Sequence, residues 1–229
     1  MLCEGERMRR AWYRDQKGEL EGTMEAGEGG FVLEVGGVRF EGSSPDGLEA
    51  VSHAPLAQVE RFRLHHDSLC GCELEWSQPI DVIVGERVEQ GELYARLVLG
   101  HPGPHGELDA EQMTLGVERA GRLITAQGGY YEEILSRIGA SMPQGEWLRC
   151  CFTCAFSDYS PYGQGLVGSM MCFVECADPY RVNDDVDHAK DALFDLIDRA
   201  SPLVFVVETH VCGRYEARRA GAGHRGEHP

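Results

Sequence analysis

No run of apolar residues approaches the roughly 18 that a membrane-spanning helix requires. The opening Met1-Leu-Cys-Glu-Gly-Glu-Arg also lacks the apolar core of a secretory leader, so the sequence reads as that of a cytoplasmic protein. Basic charge is scarce: 21 Lys and Arg stand against 38 Asp and Glu, a net charge of −17. A nucleic-acid backbone or an anionic membrane would meet net repulsion. Neither is expected as a partner, and a protein partner selected by charge should be basic. Internal repeats are missing, and so is the regular strand and helix alternation of a βαβ fold.

A calcium loop is missing too. Acidity is densest at Asp184, Asp185, Asp187, Asp191, Asp195 and Asp198, spaced so that several carboxylates share one helical face. An EF-hand counted from Asn183 would need Gly and a carboxylate where His188 and Phe194 stand. The run is read as a solvated helix face.

What is present is enough for a substantial core: 229 residues, 42% of them hydrophobic and 26% charged. Residues 1–30 mix charges and glycines with few apolar positions and are expected to form a loosely ordered lead-in. A β-rich region should span 31–127. Residues 31–35 and 38–40, separated by Gly36-Gly37, predict a two-residue β-hairpin, because paired glycines permit the positive φ angles of a primed turn. Further strands are expected at 58–64, 69–76, 80–84, 92–99, 112–118 and 122–126. Leu93, Ala95, Leu97 and Leu99 give the clearest alternation. Residues 128–215 should hold a helix and a cysteine module packed on the β region, with a flexible tail at 216–229.

Two helices are expected. Tyr131, Ile134, Leu135 and Ile138 follow helical spacing and meet a stop at Gly139; a second helix over about 188–199 is capped by Asp187 and ends before Pro202. Residues 203–207 read as a buried strand. The class is α+β: an antiparallel sandwich or curved sheet, two short-to-medium helices and a C-terminal cysteine module.

Nine cysteines, an odd number grouped mainly between 150 and 176, suit metal ligands or reactive thiols better than a secreted disulfide framework. Cys151 and Cys154 form a C-x-x-C pair, the spacing that presents two thiolates to zinc. After a spacer of 17 residues come Cys172 and Cys176, inside the ~15–20 of two-knuckle zinc sites. Other readings of the same stretch are weaker. Ser157-Asp-Tyr-Ser-Pro161 is turn chemistry, whereas a thioredoxin-type pair opens a helix. Gly163, Gly165 and Gly168 satisfy G-x-G-x-x-G, with Asp184 beyond, but no βαβ unit surrounds them. His188 or His210 is a formal base for a cysteine nucleophile. His65, His66, His101 and His105 read as exposed loop residues. Cys70-Gly-Cys72, in phase with Leu74 and Trp76, reads as an inward strand stripe.

Cys151-Phe-Thr-Cys154-Ala-Phe-Ser-Asp-Tyr-Ser-Pro-Tyr-Gly163, Gly168-Ser-Met-Met-Cys172-Phe173 and Glu208-Thr-His-Val-Cys212 together resemble a bacterial, largely actinobacterial, family of unknown function. The resemblance covers about residues 55–216. It implies a β-rich portion followed by the cysteine module, no established activity, and a fourth cysteine at Cys212 where spacing alone offers Cys176. Cys150 and Cys176 are departures from the family pattern. The expected site is thus a structural zinc held by Cys151, Cys154, Cys172 and Cys212, with Cys176 as the substitute fourth ligand. Four thiolates leave no open coordination position, which argues against metal-assisted hydrolysis. The expected function is a non-enzymatic binding or interaction protein. The alternatives are an immunity-type protein that neutralises a basic toxin and a thiol-dependent enzyme using Cys150, Cys151 or Cys154.

Overall fold

The alternation at Leu93, Ala95, Leu97 and Leu99 does what it predicts: in the computed structural model all four side chains are buried on one face of a long strand. Residues 9–27, 30–52, 54–159, 166–167, 170–176, 197 and 204–218 are described. In chain order they form β1 (Arg9–Asp15), β2 (Gly18–Gly27), β3 (Gly30–Val35), β4 (Val38–Gly42), β5 (Glu49–Ala50) and the one-turn helix α1 (Leu56–Val59). Next come β6 (Leu64–His65), β7 (Ser68–Leu69), β8 (Cys72–Val84), β9 (Arg87–Leu99), β10 (Glu111–Arg119), β11 (Arg122–Gly128) and α2 (Tyr131–Ser141). The last strands are β12 (Glu146–Arg149), β13 (Ser157–Tyr159), β14 (Met170–Cys172) and β15 (Val204–Val206).

Among the described residues the architecture is β-rich and antiparallel with the two helices α1 and α2, in the α+β class. One sheet runs β11-β10-β9-β8-β1-β2-β3-β4-β5-β7-β6, and β12 joins it along β8. β13, β14 and β15 make a separate three-stranded sheet in that order with β14 central. Inward residues of β1–β4 and β8–β10 belong to one apolar cluster, to which α2 adds Tyr131, Ile134, Leu135 and Ile138. Tyr13 and Phe40 each meet Phe62 edge to face, with ring centroids 5.0 and 4.9 Å apart.

The Gly36-Gly37 hairpin forms as expected, with φ of 57° and 80° at the two glycines and Val35 opposite Val38. Five sequence expectations are corrected. The lead-in expected over 1–30 holds β1 and β2, and β1 lies between β2 and β8 inside the sheet. Only one face of this hairpin is buried, through Ala11, Tyr13 and Met24, so few apolar residues suffice. The strand expected at 58–64 is instead α1 followed by the short β6. The strands expected at 69–76 and 80–84 are joined in β8, which runs through Pro79. α2 passes Gly139 and ends at Ser141, where Met142, held extended ahead of Pro143, stops it. The strand expected over 203–207 is present as β15 but half-exposed, with Phe205 47% accessible. The aspartate run, the helix expected over 188–199 apart from the helical Ile197, and the Gly163–Gly168 loop apart from Leu166 and Val167 lie outside the described residues.

Two expectations test this arrangement. A chain beginning at Gly30 leaves the Glu73–Trp76 stretch of β8 without the neighbour β1 provides. It should lose cooperative thermal unfolding followed by circular dichroism; a sharp transition in that shortened chain would overturn the central placement of β1. The β10–β11 hairpin turns through Ala120 and Gly121, with Ala120 at φ 52°, a conformation that costs a residue with a Cβ about 1 kcal/mol. Ala120→Gly should therefore raise stability by about 0.5–1 kcal/mol in urea titration, and an unchanged or lower midpoint contradicts the strained turn.

Candidate functional site

The cysteine-bearing half of the chain is attached through β12. Its four residues pair with Val84 back to Asp81 of β8, and Arg149 donates from Nη1 to Asp81 Oδ2 at 2.8 Å. The chain then tightens into a 3-10 turn, Cys151–Thr153. Cys150 caps it: the Thr153 N–H donates to the Cys150 sulfur, and the Cys150 N–H donates to Thr153 Oγ1. This turn sets the C-x-x-C pair side by side. From it the chain enters β13, where Ser157 lies opposite Cys172 of β14, and Cys172 in turn lies opposite Val204 of β15.

The fourth cysteine arrives from far along the sequence. The segment after β15 is bound to the 3-10 turn on both sides of Cys212. Ahead of it, the Cys151 N–H donates to His210 O at 2.9 Å and the Phe152 N–H to Glu208 O at 2.8 Å. Beyond it, the Ala155 N–H donates to Glu216 O at 2.8 Å and the Arg218 N–H to Thr153 O at 2.9 Å. Cys212 is thereby pinned over the C-x-x-C turn. Arg149 adds a third hold, donating from Nη2 to Cys212 O at 3.2 Å with its guanidinium 5.4 Å from the centre of the Tyr215 ring. Tyr215 is itself fixed by Trp147, whose indole N–H donates to the phenol oxygen at 3.1 Å, and by Thr153.

The outcome is one small cavity lined by Cys150, Cys151, Cys154, Cys172 and Cys212, with Arg214 at its side. It has room for about one water-sized particle. All four ligands expected from the sequence reach it, and Cys150 joins them. Cys176 closes the second 3-10 turn described in this half of the chain, Val174–Cys176, and its side chain lies outside the described residues. Two of the sulfurs accept backbone N–H groups from two residues ahead, Cys154 from Phe156 at 3.5 Å and Cys212 from Arg214 at 3.2 Å. Burial, followed by the neighbouring Cys150, Cys154, Cys172 and Cys212, pushes the Cys151 thiol well above its ordinary pKa. Without a cation it holds its proton, the opposite of an activated nucleophile. Among the described residues no three His, Cys, Asp or Glu side chains stand as placed in an arrangement that holds a metal ion. The structure therefore shows convergence of thiols on a cavity, not a formed coordination sphere.

Arg149 and Arg214 are committed to other partners. Arg149 pairs with Asp81, while Arg214 pairs with Glu175 and donates to Val174 O at 3.0 Å, tying the second 3-10 turn to the Cys212 turn. The remaining candidates stand elsewhere. Cys72 faces inward with Leu74 and Trp76, its thiol pushed up to about 12 chiefly by burial. His66, His101 and His105 are exposed and His65 partly so. His210 is partly buried, and burial, with Arg9, lowers its imidazole pKa. His188 lies outside the described residues. Sequence reasoning missed the clamp of Arg149, Tyr215 and Thr153, whose only trace in the chain is that arginine and tyrosine flank the cysteines.

No curated protein and no solved structure matches the chain. A family model does, and its match takes in β1 and β2 as well as the C-x-x-C pair, starting earlier and stopping sooner than the stretch of 55–216 expected from the cysteine pattern. The chain belongs to this family, a family of unknown function (DUF6304), whose model matches residues 7–157.

Proposed function

We propose that this chain binds one zinc ion through Cys151, Cys154, Cys172 and Cys212, that the metal is structural, and that the protein acts by binding another macromolecule and not by catalysis. The observation that carries the reading is that four cysteines from three separate chain segments line a single cavity of ion size. The N–H donors at Cys154 and Cys212 suit thiolate ligands. Four thiolates close a tetrahedron and leave no position for water or substrate. A cavity that admits about one water-sized particle has no place for an organic substrate beside the thiols, which weighs against a thiol enzyme at this site. Zinc in such a site contributes on the order of 10 kcal/mol, as much as the whole net stability of an ordinary domain. It would fasten the β13–β15 sheet and the Cys212 segment to β12. The net charge of −17 supports a basic protein as partner, reached by salt-sensitive attraction, and the free thiols of the described cysteines suit the cytoplasm, a compartment that keeps thiols reduced.

Metal analysis of the purified chain should give one zinc per chain. Cys151→Ser and Cys212→Ser should each lose it and melt at lower temperature, while Cys176→Ser should keep it. Zinc well below one per chain, or unchanged metal and melting in Cys151→Ser, removes the reading; loss in Cys176→Ser with retention in Cys212→Ser moves the fourth ligand. Arg149→Ala, which frees the Cys212 carbonyl, should weaken zinc binding by roughly 10–100-fold in competition with a chromogenic chelator. Wild-type affinity in that variant would show that the clamp does not position Cys212.

A further inference from the structure

The cavity holds one more sulfur than a tetrahedral ion can use. With Cys151, Cys154, Cys172 and Cys212 as ligands, Cys150 lines the same space outside the ligand set, 1% exposed, its sulfur taking the Thr153 N–H. Cys172 and Cys212 are partly exposed, so they are the ligands that solvent-borne oxidants meet first. We infer that Cys150 is a resolving thiol, making this an oxidation-sensitive site in which a disulfide to Cys172 or Cys212 expels the metal. The inference rests on the zinc reading and names how that site is regulated.

The chemistry balances with a peroxide as oxidant. The Cys172 or Cys212 thiolate attacks a peroxide oxygen, the O–O bond breaks, and the products are a sulfenic acid and hydroxide. The Cys150 sulfur then attacks the sulfenic sulfur. The S–S bond forms, the S–OH bond breaks, and the hydroxyl leaves as water with the Cys150 proton. Two electrons have passed from the two sulfurs to the peroxide. Zinc keeps at most three of its thiolates and dissociates. Without Cys150, a sulfenic acid here has only the metal-held thiolates to condense with, and further peroxide carries it to the sulfinic acid, which ordinary thiols do not reduce. Burial serves the role, since a thiol this enclosed is shielded from bulk oxidant and open to a sulfur across the cavity.

The test treats the zinc-loaded full chain with hydrogen peroxide, follows zinc release with a chromogenic chelator, and maps disulfides by peptide mass spectrometry without reduction. Zinc should leave as a disulfide joining Cys150 to Cys172 or Cys212 appears, and dithiothreitol with added zinc should restore one zinc per chain. Cys150→Ser, whose hydroxyl can still take the Thr153 N–H and cap the turn, should bind one zinc but lose recoverable zinc after peroxide, with sulfinic acid at Cys172 or Cys212. Disulfides that join only the ligand cysteines to one another, or full recovery in Cys150→Ser, overturn the role of Cys150 while leaving the zinc site standing. A parent chain that holds no zinc before peroxide removes the zinc reading and this one with it. The disulfide map of the parent decides the matter even where the variant fails to fold.

Discussion

The strand β8 carries two neighbours on one edge, and the placement of everything else follows from how it divides that edge. β9 runs along its other side for all 13 residues. On the shared edge, β1 takes Glu73–Trp76 and β12 takes Asp81–Val84. The interval between them holds Gln78 and Pro79. A proline brings no N–H to a ladder, so the strand carries it with least loss where one neighbour is missing. Gln78 sits at this fork with 3% exposure and its amide oxygen unpartnered. A buried acceptor in that state costs about 1–3 kcal/mol unless a water reaches it. The first hairpin of the chain and the cysteine-bearing half are thus fixed to opposite ends of the same strand.

That division also explains why the cysteines converge. β12 delivers the C-x-x-C turn at a defined distance along β8, and the segment 207–218 folds back over the turn with hydrogen bonds ahead of and beyond Cys212. Loops placed by this many backbone bonds hold their side chains more narrowly than loops tethered at the ends alone. Zinc bound by four thiolates would leave two surplus negative charges in a cavity whose nearby guanidinium groups already face Asp81 and Glu175. The balance then falls to the backbone N–H groups of Phe156 and Arg214. Those bonds would require no free cation.

Parts of this arrangement were legible in the sequence because they repeat locally. The Gly36-Gly37 turn, the alternation in β9 and the buried face of α2 each announce themselves within a dozen residues. The β1–β2 hairpin did not, because its buried face needs only Ala11, Tyr13 and Met24 while its other face is charged. Its readable signal was electrostatic: Arg14 stands opposite Glu19 across the turn, and Arg10 reaches Glu21. At 56–59 the good helix formers Leu, Ala and Gln follow Pro55, and local propensity outweighed the strand expected from residue 58. The C-x-x-C pair was legible from spacing. The approach of Cys212 rests on hydrogen bonds between segments more than fifty residues apart, which no local periodicity encodes; the family resemblance carried that assignment, not the spacing.

The charge of the chain is more unevenly used than its composition suggests. On the outer face of β1, β8 and β9, Arg14 and Arg96 lie among Glu19, Glu73 and Glu75 in a connected set of ion pairs. The Arg96 hydrogen bond, reinforced by Arg14, holds the Glu73 carboxyl below the usual carboxylate range. Exposed pairs of this kind add little stability singly, about 0–1 kcal/mol each, but the two arginines offset two of the three carboxylates they join. A basic partner approaching that surface would meet carboxylates already engaged and guanidinium groups of its own sign. Little of the chain's net charge of −17 is therefore presented by this set of ion pairs. Attraction of the basic partner proposed above would draw mainly on carboxylates outside this set of ion pairs.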